Sequence, residues 1–353
     1  MLSFKEVIYK EIKKGLPALL VGDIGGTNSN FGIAQITDGD AELTFSVHIK
    51  SQEITDFTLV VKELLEMLQT KYAIEIKNAC FAAAGAVTPK QDFCKPTNLD
   101  ITIDAKDIIK HTPLTCAFIV NDFEVIGYGI DRIAAADLVT VQRGNEFKRG
   151  NKAILGAGTG LGKGILRWVQ SKQRYFPVAS EGGHADFSAQ TQLDMNLITF
   201  IQKHEQYTCN ISWENVLSGR GIKRIYAFFG SFNQYDHQDE KIVKDGPEPD
   251  DIFKNRNRDK RCWDTFEFYT TLYARCAKNW ALDALALGGV YIAGGIAAKN
   301  VEMFKLDCFA KEFANCGKQV LLLKSIPIWV IADYNVSLYG AIEYMRLEGK
   351  CDI

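Results

Sequence analysis

Three glycine-rich turns and a few carboxylates are the residues of this chain whose types and spacing suit chemistry. The first turn, GDIGGTN, carries Gly25, Gly26, Thr27 and Asn28; the second, GAGTGLGKG, carries Gly158, Thr159 and Gly160; the third, IAGGI, carries Gly294 and Gly295. Where side chains are absent the backbone can approach an anion and successive N–H groups can point inward, so each turn reads as a phosphate cradle or as a structural turn. Neither of the first two is a Walker loop. GDIGGTN lacks a following GK[ST]. GAGTGLGKG contains Lys163 but runs on into strand-like ILRW where a helix should start. Three such turns in one chain favour a nucleotide ligand.

Asp23 ends the apolar run before the first turn. A carboxylate beside a triphosphate is what Mg²⁺ needs, directly or through water; the alternative is an Asp bonded to its own turn. Asn121-Asp122 closes the run TCAFIV. An Asp there can take a proton from a hydroxyl nucleophile while the Asn orients it, or the pair can cap the next helix. In EGGHADF, Glu181 and His184 flank Gly182-Gly183, and in WENVLSGRG Glu214 precedes a glycine pair. Such a set of acceptors with one amphoteric ring can grip neighbouring hydroxyls; singly, each also reads as a surface carboxylate or a packed histidine.

The elements that must hold these residues are legible as apolar runs. PALLVGDIGGTNSNFGIAQI predicts a strand, a tight turn and a returning strand, and NKAILGAGTGLGKGILRW repeats that design with Gly156 lying 134 residues after Gly22. The repeat predicts two related α/β domains with a ligand in the cleft between them, unless the two hairpins arose independently. A capped helix is expected from about Asp56 to Tyr72, with Leu59, Leu64, Met67 and Leu68 at helical spacing, and strands at Ala79 to Ala84 and Cys116 to Val120. Alternating strands and helices give an α/β class. Trp280 to Ala298 approaches membrane-spanning length, but its four glycines predict a helix end, a short buried strand VYIA and a second turn.

Composition narrows the function classes. With 353 residues, 47% hydrophobic and 24% charged, the chain is long enough for two or three ordinary globular domains, which excludes a disordered segment or a miniprotein. A net charge of -2 offers no broad positive field, so neither nucleic acid nor membrane is expected as a partner. The basic run Lys254, Arg256, Arg258, Lys260 and Arg261, at the end of the polar segment from Asn233, reads as a solvated loop and helix face. Nine cysteines sit mostly singly in apolar runs, as Cys80 and Cys116 do, and read as buried thiols of a cytoplasmic protein; none forms a C-x-x-C pair. The charged N-terminus reads as carrying no targeting segment.

Taken in order, VGDIGGTN, VNDF, GAGTGLG, EGGHADF, ENVLSG and VYIAGGI resemble the bacterial-type glucokinases of the hexokinase and actin-like ATPase superfamily, from about Ala18 to Gly340. The resemblance implies two ribonuclease-H-like, actin-like ATPase domains with mixed sheets flanked by helices: a small one, residues 1–132 with 338–353, and a large one, 133–337. It implies phosphorylation of glucose at its 6-hydroxyl by ATP with Mg²⁺. Asp122 would be the general base, and Asn98 (in PTNLD), Asn121, Glu181, His184 and Glu214 would hold the sugar. Asp23 would position Mg²⁺ through water; Gly25 to Asn28 and Gly158 to Gly160 would cradle phosphates, and Gly294-Gly295 would lie near the adenosine. A homodimer is among its expectations. The chain departs from the family pattern at Ser29-Asn30, where an Arg is usual, at Ala86, where a Pro is usual, and in LDITID, which lacks an aromatic. The cysteine-rich zinc motif of the related ROK branch is absent. Other readings are a kinase of another hexose or amino sugar, a non-catalytic sugar sensor, and an ATPase with no sugar pocket.

Overall fold

Apolar runs of strand length separated by amphipathic helices build two α/β units. One comprises Met1–Ala135, Val169–Ala179 and Asp333–Ile353; the other comprises Ala136–Trp168 and Ser180–Ala332. A computed structural model describes residues 4–37, 39–145, 147, 149–232, 235 and 247–349.

In the first unit β1 (Lys5–Ile8), β2 (Ala18–Ile24), β3 (Asn28–Thr37), β4 (Asp40–Lys50), β5 (Ile76–Ala83), the short pair β6 (Phe93–Cys94) and β7 (Ile103–Asp104), and β8 (Cys116–Asn121) are joined by α1 (Phe57–Met67) and α2 (Ala105–His111). After β8 comes α3 (Asp122–Gly129). The main sheet is ordered β1–β4–β3–β2–β5–β8, with β2, β5 and β8 parallel. Alternation along β2 divides its side chains between two layers. Leu20 and Ile24 join Phe31, Phe45 and Phe81 against α1, whereas Leu19 and Val21 join Ala82 and Val120 against Leu338, Ala341 and Ile342 of the C-terminal helix (Val336–Leu347). Helix α1 starts at an Asp56 cap that accepts the Leu59 N–H at 3.0 Å. It ends at Met67; the expected extension to Tyr72 is a single wide turn closed by left-handed Ala73 (φ 54°).

The second unit contains β9 (Leu138–Gln142), β10 (Lys152–Ala157), β11 (Leu161–Val169), β13 (Val290–Ala293) and β14 (Ile328–Ile331), in the sheet order β11–β10–β13–β14–β9; β12 (Arg174–Ser180) falls, except for Ser180, in the first unit. The helices of the second unit are α4 (Gln192–His204), α5 (Trp213–Val216), α6 (Gly219–Gly230), α7 (Pro249–Lys254), α8 (Lys260–Asp283), α9 (Gly295–Lys299), α10 (Asp307–Ala314) and α11 (Val320–Ser325). Each unit thus contains an antiparallel hairpin carrying a glycine turn (β2–β3, β10–β11) and adds two parallel strands beside it (β5 and β8, β13 and β14).

The apolar stretch from Trp280 divides as expected into the end of α8, buried β13 and a glycine turn. No helix of the described residues is long and apolar enough to cross a membrane. The basic run is less solvated than its composition suggested. Arg256 pairs with Glu302 at 2.6 Å and covers the Phe266 ring, and Arg261 donates to the Tyr226 carbonyl at 2.7 Å while lying over that ring. Of the polar segment before it, residues 233, 234 and 236–246 lie outside the described residues. The cysteines also differ from expectation. Cys80, Cys94, Cys262 and Cys276 are buried thiols, but Cys209 is exposed, Cys308 and Cys316 are half-buried, and Cys116 is disulfide-bonded.

Candidate active site

In the first unit the parallel strands end together, and their register brings the candidate residues to one edge. Asp23, Ala82 and Val120 share a rung across β2, β5 and β8, and β8 adds only Asn121 before α3 begins at Asp122. The Asn121 side chain caps that helix. Its Oδ1 accepts the N–H groups of Phe123 (3.0 Å) and Glu124 (3.1 Å), and its Nδ2 donates to the Gly85 carbonyl (3.2 Å). Asp122 is the first helical residue, half-buried, and its Oδ1 accepts the Phe123 N–H at 3.0 Å. The cap and site readings of this pair are therefore compatible: the cap fixes the backbone from which Asp122 projects. Thr97 donates its N–H to the Ala84 carbonyl at 3.0 Å, which ties the PTN turn to the end of β5 and brings Asn98 to the edge that carries Asn121 and Asp122.

The first glycine turn is braced by a residue that sequence reasoning missed. Gly25 donates its N–H to the Asn28 carbonyl at 3.1 Å, and buried Ser51 donates its N–H to the Thr27 carbonyl and its hydroxyl to the Gly25 carbonyl (3.0 and 2.6 Å). The inward-pointing carbonyls are thereby satisfied, leaving Thr27 and Asn28 exposed. Asp23, just before this turn, receives a hydrogen bond from the Ser337 hydroxyl of the C-terminal helix, but burial outweighs it and pushes the carboxyl up to about 6. A cation beside this carboxyl would restore its charged form, so the site fits Mg²⁺ chemically. Across the sheet Lys5, His48, Asn30 and Asp23 form one row. His48 bonds Asn30 Oδ1 through Nδ1 and Ser46 Oγ through Nε2. Burial, with help from Lys5, holds His48 below its ordinary value.

Glu124, also missed, follows Asp122 by two residues. Burial and then the charge of Glu348 push its carboxyl up to about 7. No sequence signal marks it, because Glu348 arrives from the far end of the chain.

In the second unit the other two glycine turns adjoin. Gly156 and Ala293 are paired in the parallel ladder of β10 and β13, and a Cβ on Gly294 would stand 2.7 Å from the Ala157 carbonyl oxygen. Gly294 has φ 91°, which glycine adopts freely. The Gly158 to Gly160 turn closes on itself (Gly158 N–H to Gly160 carbonyl, 2.8 Å) and accepts the Gly219 N–H at 2.8 Å. Gly219 opens α6, whose cap is Ser218, so the helix start Gly219-Arg220-Gly221 lies beside this turn. The signal was available: LSGRG is a serine cap followed by glycines. Glu214 braces the same turn, its Oε2 accepting the Leu161 N–H at 3.0 Å and its Oε1 pairing with Arg220 at 3.2 Å. Glu181 and His184 stand 3.8 Å apart on a 3-10 turn, and both are exposed.

A sequence model of the glucokinase family matches residues 20–348. The chain belongs to the glucokinase family. The glucokinase of Nostoc punctiforme is 32% identical over 341 residues, covering 92% of this chain and 97% of that one. Among solved structures, the glucokinase of Balamuthia mandrillaris in complex with glucose superposes with a TM-score of 0.78 at 20% identity, covering 93% of each chain. A ROK family glucokinase from Streptomyces griseus in complex with glucose and AMPPNP gives 0.61 at 19% identity, covering 92% of this chain and 98% of that one. Both likenesses show that the chain shares the fold of these proteins. As a member of the glucokinase family the chain is a sugar phosphotransferase, and its reaction is ATP-dependent phosphorylation of glucose.

Proposed function

We propose that the chain transfers the γ-phosphoryl group of Mg-ATP to the 6-hydroxyl of glucose with Asp122 as general base. The observation that carries this reading is the half-buried Asp122 carboxylate at the start of α3, on the strand-end edge that also bears Asn98 and Asn121. As the sugar oxygen bonds to the γ-phosphorus, its proton passes to Asp122, and the bond from phosphorus to the bridging oxygen of ADP breaks. Asn121 orients the base through the helix cap, and Asn98, Asn121, Glu181, His184 and Glu214 hold the sugar hydroxyls. The turns at Gly25 to Asn28 and Gly158 to Gly160 cradle phosphates, aided by the helix start at Gly219, and Gly294-Gly295 lies near the adenosine. Asp23 would hold Mg²⁺ through water, and the ion, when bound, would offset phosphate charge. The complexes of the two solved relatives with glucose and with an ATP analogue support these ligands. The buried thiols of Cys80, Cys262 and Cys276 support a cytoplasmic enzyme.

The test is ADP release from Mg-ATP with a panel of hexoses, each beside a no-sugar blank. Turnover with glucose that falls away with mannose, fructose and amino sugars is expected. Preference for another sugar would reassign the substrate, and equal release in the blank would contradict the reading.

A further inference from the structure

Buried charges are ordinarily paired with a counter-ion, and Lys163 on β11 is a departure. It is 4% exposed and makes no salt bridge among the described residues. Its ammonium faces the rings of Trp280 at 5.2 Å and Trp213 at 5.9 Å, and it hydrogen-bonds the Cys276 thiol. The cage is fixed from outside: Trp280 Nε1 donates to the Gly164 carbonyl at 3.0 Å, Trp213 donates its N–H to the Ala185 carbonyl at 2.9 Å, and Phe187 packs edge-on against Trp213.

This cage underlies the proposed sugar residues. The loop from Glu181 to His184 lies directly on β11, since a Cβ on Gly182 would stand 3.0 Å from Lys163 Cδ and one on Gly183 only 1.8 Å from the Leu161 carbonyl oxygen. Trp213 is the neighbour of Glu214. One side chain therefore touches the floor of the EGGH loop with its stem and the residue beside Glu214 with its charge. We propose that Lys163 is a positioning residue for sugar binding. Its cation–π contacts clamp the two indoles and thereby fix the Glu181–His184 loop relative to Glu214.

This inference rests on the reading that Glu181, His184 and Glu214 hold the sugar, and the experiment separates the two. Steady-state kinetics would be compared for the wild type, K163M, which keeps the packing and removes the charge, W280F, which keeps the lysine and weakens its hold, and E181Q. The glucose KM should rise on the order of tenfold in K163M and less in W280F, with kcat and the ATP KM within about twofold of wild type. A structural defect would instead lower kcat and raise both KM values. An unchanged glucose KM in K163M while E181Q raises it would overturn the inference alone, and an unchanged value in both would overturn it together with the sugar-site reading. Should K163M not fold, W280F decides, and an unchanged glucose KM there would overturn the proposal.

Discussion

Asp23 is a largely buried carboxyl beside the first glycine turn, and its burial and the proposed binding of Mg-ATP there make opposite demands on it. Without a cation its folded value near 6 lies above that of an unfolded Asp. Its contribution to stability is thus present below about pH 4 and is lost as pH rises through about 6, reduced by the part of the carboxyl that water still reaches. Replacing it by Asn removes the buried charge. Asp23→Asn is expected to stabilise the ligand-free protein by on the order of 1–3 kcal/mol at pH 8 and by almost nothing near pH 4, while sharply weakening use of Mg-ATP. Urea melts at the two pH values and the ATP KM check this; a variant less stable at pH 8 would contradict it. At this scale the sequence revealed residues that end strands or sit in glycine turns, because their place in a local pattern identifies them. Ser337, Ser51 and Glu124 were not legible. Each acts on or through a residue brought near only by the fold, and serine or glutamate in an ordinary helix or turn carries no mark.

Among elements, the helix that presents Asp122 depends on how closely its neighbour can approach. A Cβ on Gly340 of the C-terminal helix would stand 1.8 Å from the Val125 carbonyl oxygen of α3, and one on Gly129 would stand 2.2 Å from the Val336 carbonyl oxygen. These are backbone contacts, so the helices must separate to accept a methyl group. Gly340→Ala is expected to destabilise the protein by about 3 kcal/mol or more. Gly158→Ala, whose added Cβ meets nothing within 4 Å, should cost under about 1 kcal/mol and instead raise the ATP KM by obstructing the cradle. Thermal melts and ATP kinetics on the two variants separate packing from ligand approach. Both glycine hairpins, the Asp56 cap and the division of the stretch from Trp280 could be read from local pattern. The helix close-packing was not: glycine in an apolar helix does not say which backbone it meets. Lys254, Arg258 and Lys260 of the basic run are exposed as expected, but Arg256 and Arg261 were misjudged for a related reason, since an arginine lying over Tyr226 or Phe266 looks in sequence like any solvated cation.

For the whole molecule, the internal repeat explains why one design serves two tasks. The 134-residue offset pairs Gly22 with Gly156 and Asp23 with Ala157, so both units offer a glycine turn but only the first keeps a carboxylate before it. In the first unit the carboxyl edge of the sheet also bears Asp122; in the second, two glycine turns and the start of α6 converge. The repeat was visible in the sequence, as was the order of six motifs, because both are linear. The grouping of residues 169–179 with the first unit was not, since nothing in SKQRY signals which contacts it makes. In the proposed reaction Asp122 acts on the proton of the sugar hydroxyl rather than on binding. The direct measurement is kcat and the glucose Kd of Asp122→Asn, the latter by calorimetry. The account predicts a kcat lower by roughly 100- to 10,000-fold with a Kd within about threefold of wild type. Turnover within tenfold of wild type, or loss of glucose binding in parallel with turnover, would contradict it.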